Sequence, residues 1–278
     1  MKKILLILFS LSFLSLTTIS NAKSIRIGTE GAYPPWNNLN SAGELEGAEI
    51  DFGNEACARM GVDCEWVTQD WDGIIPALLQ GKYDIIIAGM SITEERKEKV
   101  NFTNGYMTDG ARFAVMKGSG LEGLTVGGGV NKVNLNNAGG KEQAAIGQLI
   151  AAMNGSTVCV QSSTIHQNFL EKHMSGAVKV RLYQSVDDHN LDLRAGRCDA
   201  VLADVGSIID FMESGGGVNV AFTGPTFSGG VFGDGVGGAI RKEDGDILEM
   251  WNKVIAEMSA DGTTAEITKK WFGRDISM

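Results

Sequence analysis

The chain has 278 residues, with 24 lysines and arginines against 34 aspartates and glutamates, so its formal net charge is −10 at pH 7. Nucleic acids and anionic membrane surfaces are bound through basic patches. The acidic balance therefore argues against both as partners. The length suits one large domain or two ordinary ones.

The N-terminus has the composition of an export signal. Lys2 and Lys3 precede an apolar run over residues 4–14, and Ser20-Asn21-Ala22 is a small-residue cleavage site. We expect residues 1–22 to be removed, which takes away the two lysines and changes the net charge from −10 to −12. The apolar run is shorter than the ~20 residues that a membrane span needs, and no later segment is long enough. These features predict a soluble exported protein with no direct membrane insertion.

Strand-like and helix-like segments alternate from residue 25 onward, which is typical of an α/β fold with largely parallel sheets. The first unit comprises strands over residues 25–29, 65–68 and 83–89, with helices over 50–60 and 73–80, the latter capped by Asp72. The second comprises strands over 111–116, 157–161, 178–182 and 199–204, with helices over 164–174 and 186–193. Two such units predict two lobes with a crevice between them. A Gly- and Asn-rich excursion over residues 118–156 interrupts the second unit.

A serine and an arginine follow the buried strand 83–89: Ser91 and Arg96. In open α/β sheets, ligands bind beyond the carboxyl ends of the strands. The planar fork of arginine grips a carboxylate with two hydrogen bonds. The segment therefore predicts an amino-acid site. The alternative is that Arg96 is a solvated charge on a helix starting at Thr93, since charge runs are common on helix faces.

Other strand ends and turns carry candidates for the same site. Ser163 and Thr164 lie where a buried strand turns into a helix, and such helix starts bind carboxylates, although an ordinary N-cap would also explain them. Asp204 ends another strand and can hold an ammonium or cap the helix 205–213. Tyr33 and Trp71 sit beside turn signals, where they are either pocket walls or core aromatics.

Two further patterns carry no cofactor or metal signal. Residues 233–238 match G-x-G-x-x-G, but they precede a strand instead of opening a helix, so a hinge or turn is the better interpretation. His166, His173 and His189 show no i, i+4 pairing with a carboxylate partner. We therefore predict no metal site and no cofactor.

The four cysteines form an even set, as is usual in an oxidising compartment. Cys57 and Cys64 are seven residues apart across a helix-turn-strand corner, and we expect them to be bridged. Cys159 lies within an apolar strand and Cys198 directly precedes another. For this second pair we favour free buried thiols slightly over a second bridge.

Together these residues resemble the extracellular solute-binding proteins of polar amino-acid ABC transporters (family 3), in particular the lysine/arginine/ornithine-binding and opine-binding group. The strongest segments of the match are residues 28–36, 47–52, 71–76, 90–96, 155–164, 195–200 and 229–241. The resemblance implies a type II periplasmic-binding fold whose two lobes are joined by two hinge crossings. It implies lobe 1 over residues 23–108 and 236–278, and lobe 2 over residues 109–235.

The resemblance also implies where each end of an amino acid would bind. Arg96 would clamp the α-carboxylate, helped by Ser91 and by backbone N–H groups at the helix start. Asp204 would hold the α-ammonium together with the Gly89 carbonyl and the Ser91 hydroxyl. The full ligand-binding set implied in this way is Glu30, Tyr33, Trp71, Gly89, Met90, Ser91, Arg96, Ser163, Thr164 and Asp204.

The ligand side chain is assigned in the same way. Tyr33 and Trp71 would sandwich its apolar stem, and Glu30 would meet its distal charge. Cys57 and Cys64 fall where the members that bind basic amino acids carry a disulfide. Glu30 stands where the lysine/arginine/ornithine binders have an aspartate, and the 118–156 excursion is like that of the opine binders.

These features predict an exported, periplasmic, monomeric binding component of an ABC importer, with a membrane permease as its protein partner. A distal acid suits a cation, so we expect arginine first and lysine or ornithine next. Glutamine, another polar amino acid or an opine is the alternative ligand. The alternative of a different class is a dehydratase-like enzyme on the same fold, for which Glu30 is the only candidate acid or base.

Overall fold

The computed structural model describes residues 24–278, so the predicted export signal over residues 1–22 lies outside the described part of the chain. The strands, in chain order, are β1 Ser24–Thr29, β2 Ala32–Tyr33, β3 Asn37–Leu39, β4 Leu45–Glu46, β5 Asp63–Thr68, β6 Ile85–Ile86, β7 Asn101–Phe102, β8 Ala111–Met116, β9 Lys132–Asn134, β10 Thr157–Gln161, β11 Lys179–Tyr183, β12 Ala200–Asp204, β13 Val220–Ser228 and β14 Ala239–Ile240. The α-helices are α1 Ala48–Met60, α2 Ile74–Leu79, α3 Glu94–Lys97, α4 Gly140–Ala152, α5 Ile165–His173, α6 Val186–Arg194, α7 Val205–Glu213, α8 Gly245–Ala260 and α9 Thr263–Phe272. None of the helices within residues 24–278 is long and apolar enough to span a bilayer.

The first lobe is built on a five-stranded sheet in the order β5-β1-β6-β14-β7. β1 pairs in parallel with both β5 and β6, whereas β14 is antiparallel to both of its neighbours. The chain thus leaves this sheet after residue 102 and returns to it at residue 239. Helices α1, α8 and α9 pack together beside it around buried Phe52 and Trp251. A separate three-stranded sheet, β2-β3-β4, follows β1 in the chain.

The second lobe is built on a six-stranded sheet in the order β11-β10-β12-β8-β13-β9. β10 is parallel to β11 and β12, while β8 is antiparallel to β12 and β13. Each sheet therefore has a parallel part whose carboxyl ends face the same crevice, the usual position of ligand sites in α/β proteins. This is the two-lobed type II arrangement with two crossings.

The two crossings run side by side. Val236 on the returning crossing forms isolated antiparallel bridges with Met107 on the outgoing crossing and with Ser91, and Met107 also bridges Ser277 near the C-terminus. Asp109, two residues after Met107, has a buried side chain that accepts hydrogen bonds from the Gly206 N–H and the Arg274 guanidinium. The hinge is thus tied to both lobes by backbone and charged contacts.

The excursion over residues 118–156 folds onto the second lobe. β9 adds a parallel edge strand beside β13, and α4 buries Ala145 and Leu149 in the second-lobe core. The segment is therefore part of that lobe's packing.

Two local predictions differ from the observed structure. The predicted strand 83–89 is buried, but only Ile85–Ile86 pair as β6, because the chain then turns through Gly89 at a φ of 59°. Asp72 does not cap α2; the cap position is Gly73 without a side-chain bond, and Asp72 instead accepts from the Ser162 hydroxyl at 2.9 Å.

The second cysteine pair also differs from expectation. The predicted bridge Cys57–Cys64 is present, but the preference for free thiols at Cys159 and Cys198 is wrong, because these two residues are bonded as well. β10 and β12 are adjacent parallel strands, which brings the two Cα atoms to 5.9 Å, within the usual range for a disulfide. Sequence spacing could not reveal this pairing, because the two residues are 39 apart.

Candidate functional site

A cavity lies between the lobes and is lined by residues of both. The residues lining it are Glu30, Tyr33, Trp71, Ala88, Gly89, Ser91, Arg96, Gln161, Thr164, Ile165, His166 and Asp204. Eight of the ten predicted site residues are in this set; Met90 and Ser163 line a neighbouring space on the other side of Trp71 and Arg96.

Arg96 points into the cavity from the short helix α3. Thr93 caps this helix by accepting from the Arg96 N–H, which orients the residue. The Arg96 guanidinium donates to the Ser91 carbonyl at 3.0 Å and lies 5.2 Å from the centre of the Trp71 ring. Burial lowers the pKa of Arg96 to about 10, so it remains charged at neutral pH. Within the described chain it has no carboxylate partner, in contrast to Lys97, which pairs with Glu94. Arg96 is therefore a half-buried cation that faces the crevice, and the solvated-charge alternative does not describe it.

Asp204 lies across the crevice from the first lobe. It occupies the cap position of α7 but makes no side-chain capping bond. Instead, one carboxylate oxygen accepts from the Tyr33 hydroxyl at 2.6 Å, and the other lies 3.2 Å from His166 Nε2. Burial and the neighbouring Asp204 charge raise the pKa of Tyr33 well above its usual value, so its hydroxyl stays protonated and donates.

The start of α5 meets Trp71 of the first lobe. Trp71 Nε1 donates to the Ser163 carbonyl at 3.1 Å. Ser163 adopts a φ of 58°, rare for a residue with a side chain, and its N–H donates to Gln167 Oε1. Thr164 caps α5 and its hydroxyl donates to the Gln161 carbonyl. The Ser163 N–H is thus bonded within the protein, and of these two residues only Thr164 lines the cavity.

Glu30 occupies another part of the cavity. It is 9% exposed, and one of its oxygens accepts from Gln161 Nε2 at 2.6 Å. Burial raises the pKa of Glu30 to about 7. The hydrogen bond from Gln161 lowers this pKa, and the nearby charges of three aspartates raise it. The aspartates are Asp70, Asp72 and Asp187. This region of the cavity is therefore acidic.

The backbone conformation at position 89 requires a glycine. Its φ is 59°, and a Cβ at this position would lie 3.3 Å from the Tyr33 ring. The Gly89 N–H donates to both oxygens of Glu49, a fully buried carboxylate that also accepts from Tyr106 and Asn37. This network holds the loop that carries Ser91.

Four cavity residues were not predicted: Ala88, Gln161, Ile165 and His166. Gln161 is the last residue of β10, so the rule that ligands bind at the carboxyl ends of strands could have identified it. His166, in the first turn of α5, was considered only as a metal ligand. Among residues 24–278, no cluster of three or more His, Cys, Asp or Glu side chains could hold a metal ion.

Comparisons with known proteins agree with this architecture. The model of the bacterial extracellular solute-binding proteins, family 3, matches residues 25–274. An L-arginine-binding protein of Pseudomonas aeruginosa is 38% identical over 279 residues, covering 99% of this chain and 98% of that protein. An octopine-binding periplasmic protein of Rhizobium meliloti is 36% identical over 273 residues, covering 92% of each.

A solved structure gives the same result in three dimensions. An ancestral arginine-binding protein bound to arginine superposes with a TM-score of 0.75 at 32% identity, covering 90% of this chain and 98% of that one. The match of the family model to nearly all of the described residues, together with the two-lobed fold, shows that this chain belongs to the bacterial extracellular solute-binding proteins, family 3.

Proposed function

We propose that this protein is the exported binding component of an amino-acid ABC importer and that it binds a basic amino acid, arginine first and lysine or ornithine next. The observation that carries the proposal is the separation of charge within one cavity: Arg96 in one part and Glu30 in another. The Arg96 guanidinium contacts the Ser91 carbonyl and the Trp71 ring, whereas Glu30 is bonded to Gln161 of the other lobe, so the two charged groups have different neighbours. A ligand with an anion at one end and a cation at the other complements both.

The α-amino-acid end is assigned to Arg96, Ser91 and Asp204. The Arg96 guanidinium offers its remaining N–H groups to a carboxylate. The Asp204 carboxylate, which lines the cavity together with Ser91, suits a free α-ammonium better than the substituted nitrogen of an opine. Tyr33 and Trp71 are the aromatic walls for the ligand stem. The sequence similarity to an arginine-binding protein supports this assignment.

The proposed division of the chain follows the two sheets. Lobe 1 comprises residues 23–108 and 236–278, and lobe 2 comprises residues 109–235. Closure of the lobes on the ligand follows the hinge motion of periplasmic binding proteins, which is a standard example of domain closure. The partner of the closed form is the membrane permease, and the protein acts as a periplasmic monomer after its export signal is removed.

A titration series tests the ligand class. Calorimetry with arginine, lysine, ornithine, histidine, glutamine and octopine should give the tightest binding for arginine. A ligand at 100 times its Kd stabilises the native state by about 2.7 kcal/mol, so a thermal-shift screen provides an independent ranking. Preference for glutamine or octopine would overturn the assignment of a basic amino acid. Turnover of any of these compounds would overturn the binding role in favour of an enzyme.

A further inference from the structure

The amide of Gln161 has a fixed orientation in the cavity. Its Nε2 donates to Glu30 Oε1 at 2.6 Å and to the Gln184 carbonyl at 2.9 Å. The Gln184 carbonyl can only accept a hydrogen bond, so the amide nitrogen must face it, and the bond to Glu30 uses the second hydrogen of that nitrogen. The amide oxygen is left, and within residues 24–278 the structure gives it no partner. Gln161 is 5% exposed and lines the cavity, so we take its unpartnered oxygen as an acceptor for a ligand there.

Three side-chain donors of the cavity wall are already occupied, whereas the free donors of Arg96 and Ser91 belong to the part assigned to the α-amino-acid end. Trp71 Nε1 donates to the Ser163 carbonyl, the Thr164 hydroxyl donates to the Gln161 carbonyl, and the Tyr33 hydroxyl donates to Asp204. The second oxygen of Glu30, like the Gln161 amide oxygen, has no partner in the described part of the chain. Among the cavity-lining side chains beside Glu30 the free polar atoms are therefore acceptors; the unpartnered hydroxyl of the neighbouring Thr29 is buried and does not line the cavity.

We propose that Gln161 is a specificity-determining residue, which together with Glu30 makes the distal part of the cavity an acceptor-only site and selects a guanidinium over other distal groups. This inference rests on the proposed function and deepens it. A guanidinium presents five N–H donors and no acceptor, so it can bond to Glu30 and to the Gln161 oxygen at once. An ammonium carries its three donors on one atom, so it bonds to both oxygens only if that single atom lies within hydrogen-bond distance of each, whereas the guanidinium spreads its donors over three nitrogens. A ureido or amide group brings an oxygen that would face oxygens, which is costly in a buried site.

Arginine, lysine and citrulline are the probes that separate these cases, since citrulline has the shape of arginine with a neutral ureido group. Calorimetric titration of the wild type should show arginine binding at least 100-fold tighter than citrulline. In Gln161→Met, which keeps the side-chain length but removes the amide, arginine should weaken at least tenfold and lysine less. The arginine-to-lysine affinity ratio should therefore fall at least fivefold.

One further variant serves as a control. Gln143→Met makes the same change on the exposed surface of α4 and should leave all three affinities unchanged. A thermal melt of each variant identifies any loss of folding.

The outcomes distinguish this inference from the proposed function. A wild type that binds no basic amino acid would overturn both. A wild type that binds arginine, with an unchanged arginine-to-lysine ratio in Gln161→Met, would overturn the role of Gln161 alone, because equal losses for both ligands indicate a purely structural residue. Tight citrulline binding by the wild type would show that the distal part is not acceptor-only.

Discussion

Tyr33 and Asp204, 171 residues apart in the chain, are joined by a 2.6 Å hydrogen bond from the tyrosine hydroxyl to the carboxylate. The bond crosses the crevice between the two lobes. Tyr33→Phe removes the donor and leaves a buried carboxylate with one contact fewer. Since hydrogen bonds to charged groups contribute about 1.5–3 kcal/mol, we expect the free energy of unfolding to fall by that amount.

The matched control for this change is Tyr183→Phe. The Tyr183 hydroxyl also donates to a carboxylate, that of Asp192, but within the second lobe, where Arg197 pairs with the same aspartate. Denaturant unfolding of both variants measures the difference. An unchanged free energy of unfolding in Tyr33→Phe would contradict a stabilising role of the cross-lobe bond.

Arg96→Ala should abolish amino-acid binding and leave the fold intact. Truncating one partner of a buried charge pair costs roughly 2–5 kcal/mol, because the ligand carboxylate is left unpaired. Micromolar binding corresponds to about −8 kcal/mol, so affinity should fall to the millimolar range. Lys97→Ala, which removes an exposed cation from the same helix, is the control and should bind normally. Normal arginine affinity in Arg96→Ala, measured by calorimetry, would rule out the clamp.

Glu30→Gln should change the charge selectivity. Loss of the carboxylate should weaken arginine, lysine and ornithine by roughly 1–3 kcal/mol, the scale of a lost charge-assisted hydrogen bond. Neutral ligands such as glutamine should weaken far less or gain, because a buried carboxylate is costly without a compensating cation. Titration of arginine and glutamine into both proteins gives the comparison. Equal losses for the two ligands would show that Glu30 does not select charge.

Arginine affinity should depend on pH through Glu30. The pKa of Glu30 is raised to about 7, mainly by burial, so below pH 7 the neutral acid predominates and offers no charge to the ligand. Arginine affinity should therefore fall as the pH is lowered through 7, by at most about tenfold per pH unit, and level off above it. Glutamine affinity should change little over the same range, and so should arginine affinity in Glu30→Gln. If arginine affinity changed with pH in the same way in the wild type and in Glu30→Gln, the pH dependence would not come from Glu30.

The same raised pKa affects the stability of the protein alone. A salt-bridged carboxylate has a lowered pKa and stabilises the fold at high pH, whereas Glu30 has a raised pKa and does the opposite. Its contribution to the free energy of unfolding is present below the ordinary pKa of 4.5 and is lost as the pH rises through about 7. Glu30→Gln should therefore be more stable than the wild type above pH 7. Thermal melts across pH 5–8 measure this difference.

The two disulfides should differ in their contribution to stability. In the chain-entropy model a bridge stabilises more when it closes a longer loop, which gives about 2–3 kcal/mol for Cys57–Cys64 and about 4 kcal/mol for Cys159–Cys198 at a separation of 39. Peptide mapping without reductant should recover both linked pairs. Alanine pairs at each bridge, compared by denaturant unfolding, should show the larger loss at Cys159–Cys198. The reverse order would contradict the prediction.

The sequence by itself determined the fold class and most of the cavity lining. Alternating strand and helix patterns, strand-end residues such as Ser91, Arg96 and Asp204, and the local Cys57–Cys64 bridge are readable because each depends on neighbours within a few residues. Side chains at the carboxyl ends of parallel strands meet at one edge of a sheet, whatever the details of the packing.

The tertiary structure alone decided which of these groups touch. The contact of Glu30 with Gln161 joins residues 131 apart, and that of Tyr33 with Asp204 spans 171. Both depend on how one lobe sits against the other, which no local pattern encodes. The same holds for Cys159 and Cys198, whose pairing follows from the adjacency of β10 and β12 in the sheet. Strand order is set by long-range packing, so the sequence alone did not decide whether this disulfide forms, and the tertiary structure shows that it does.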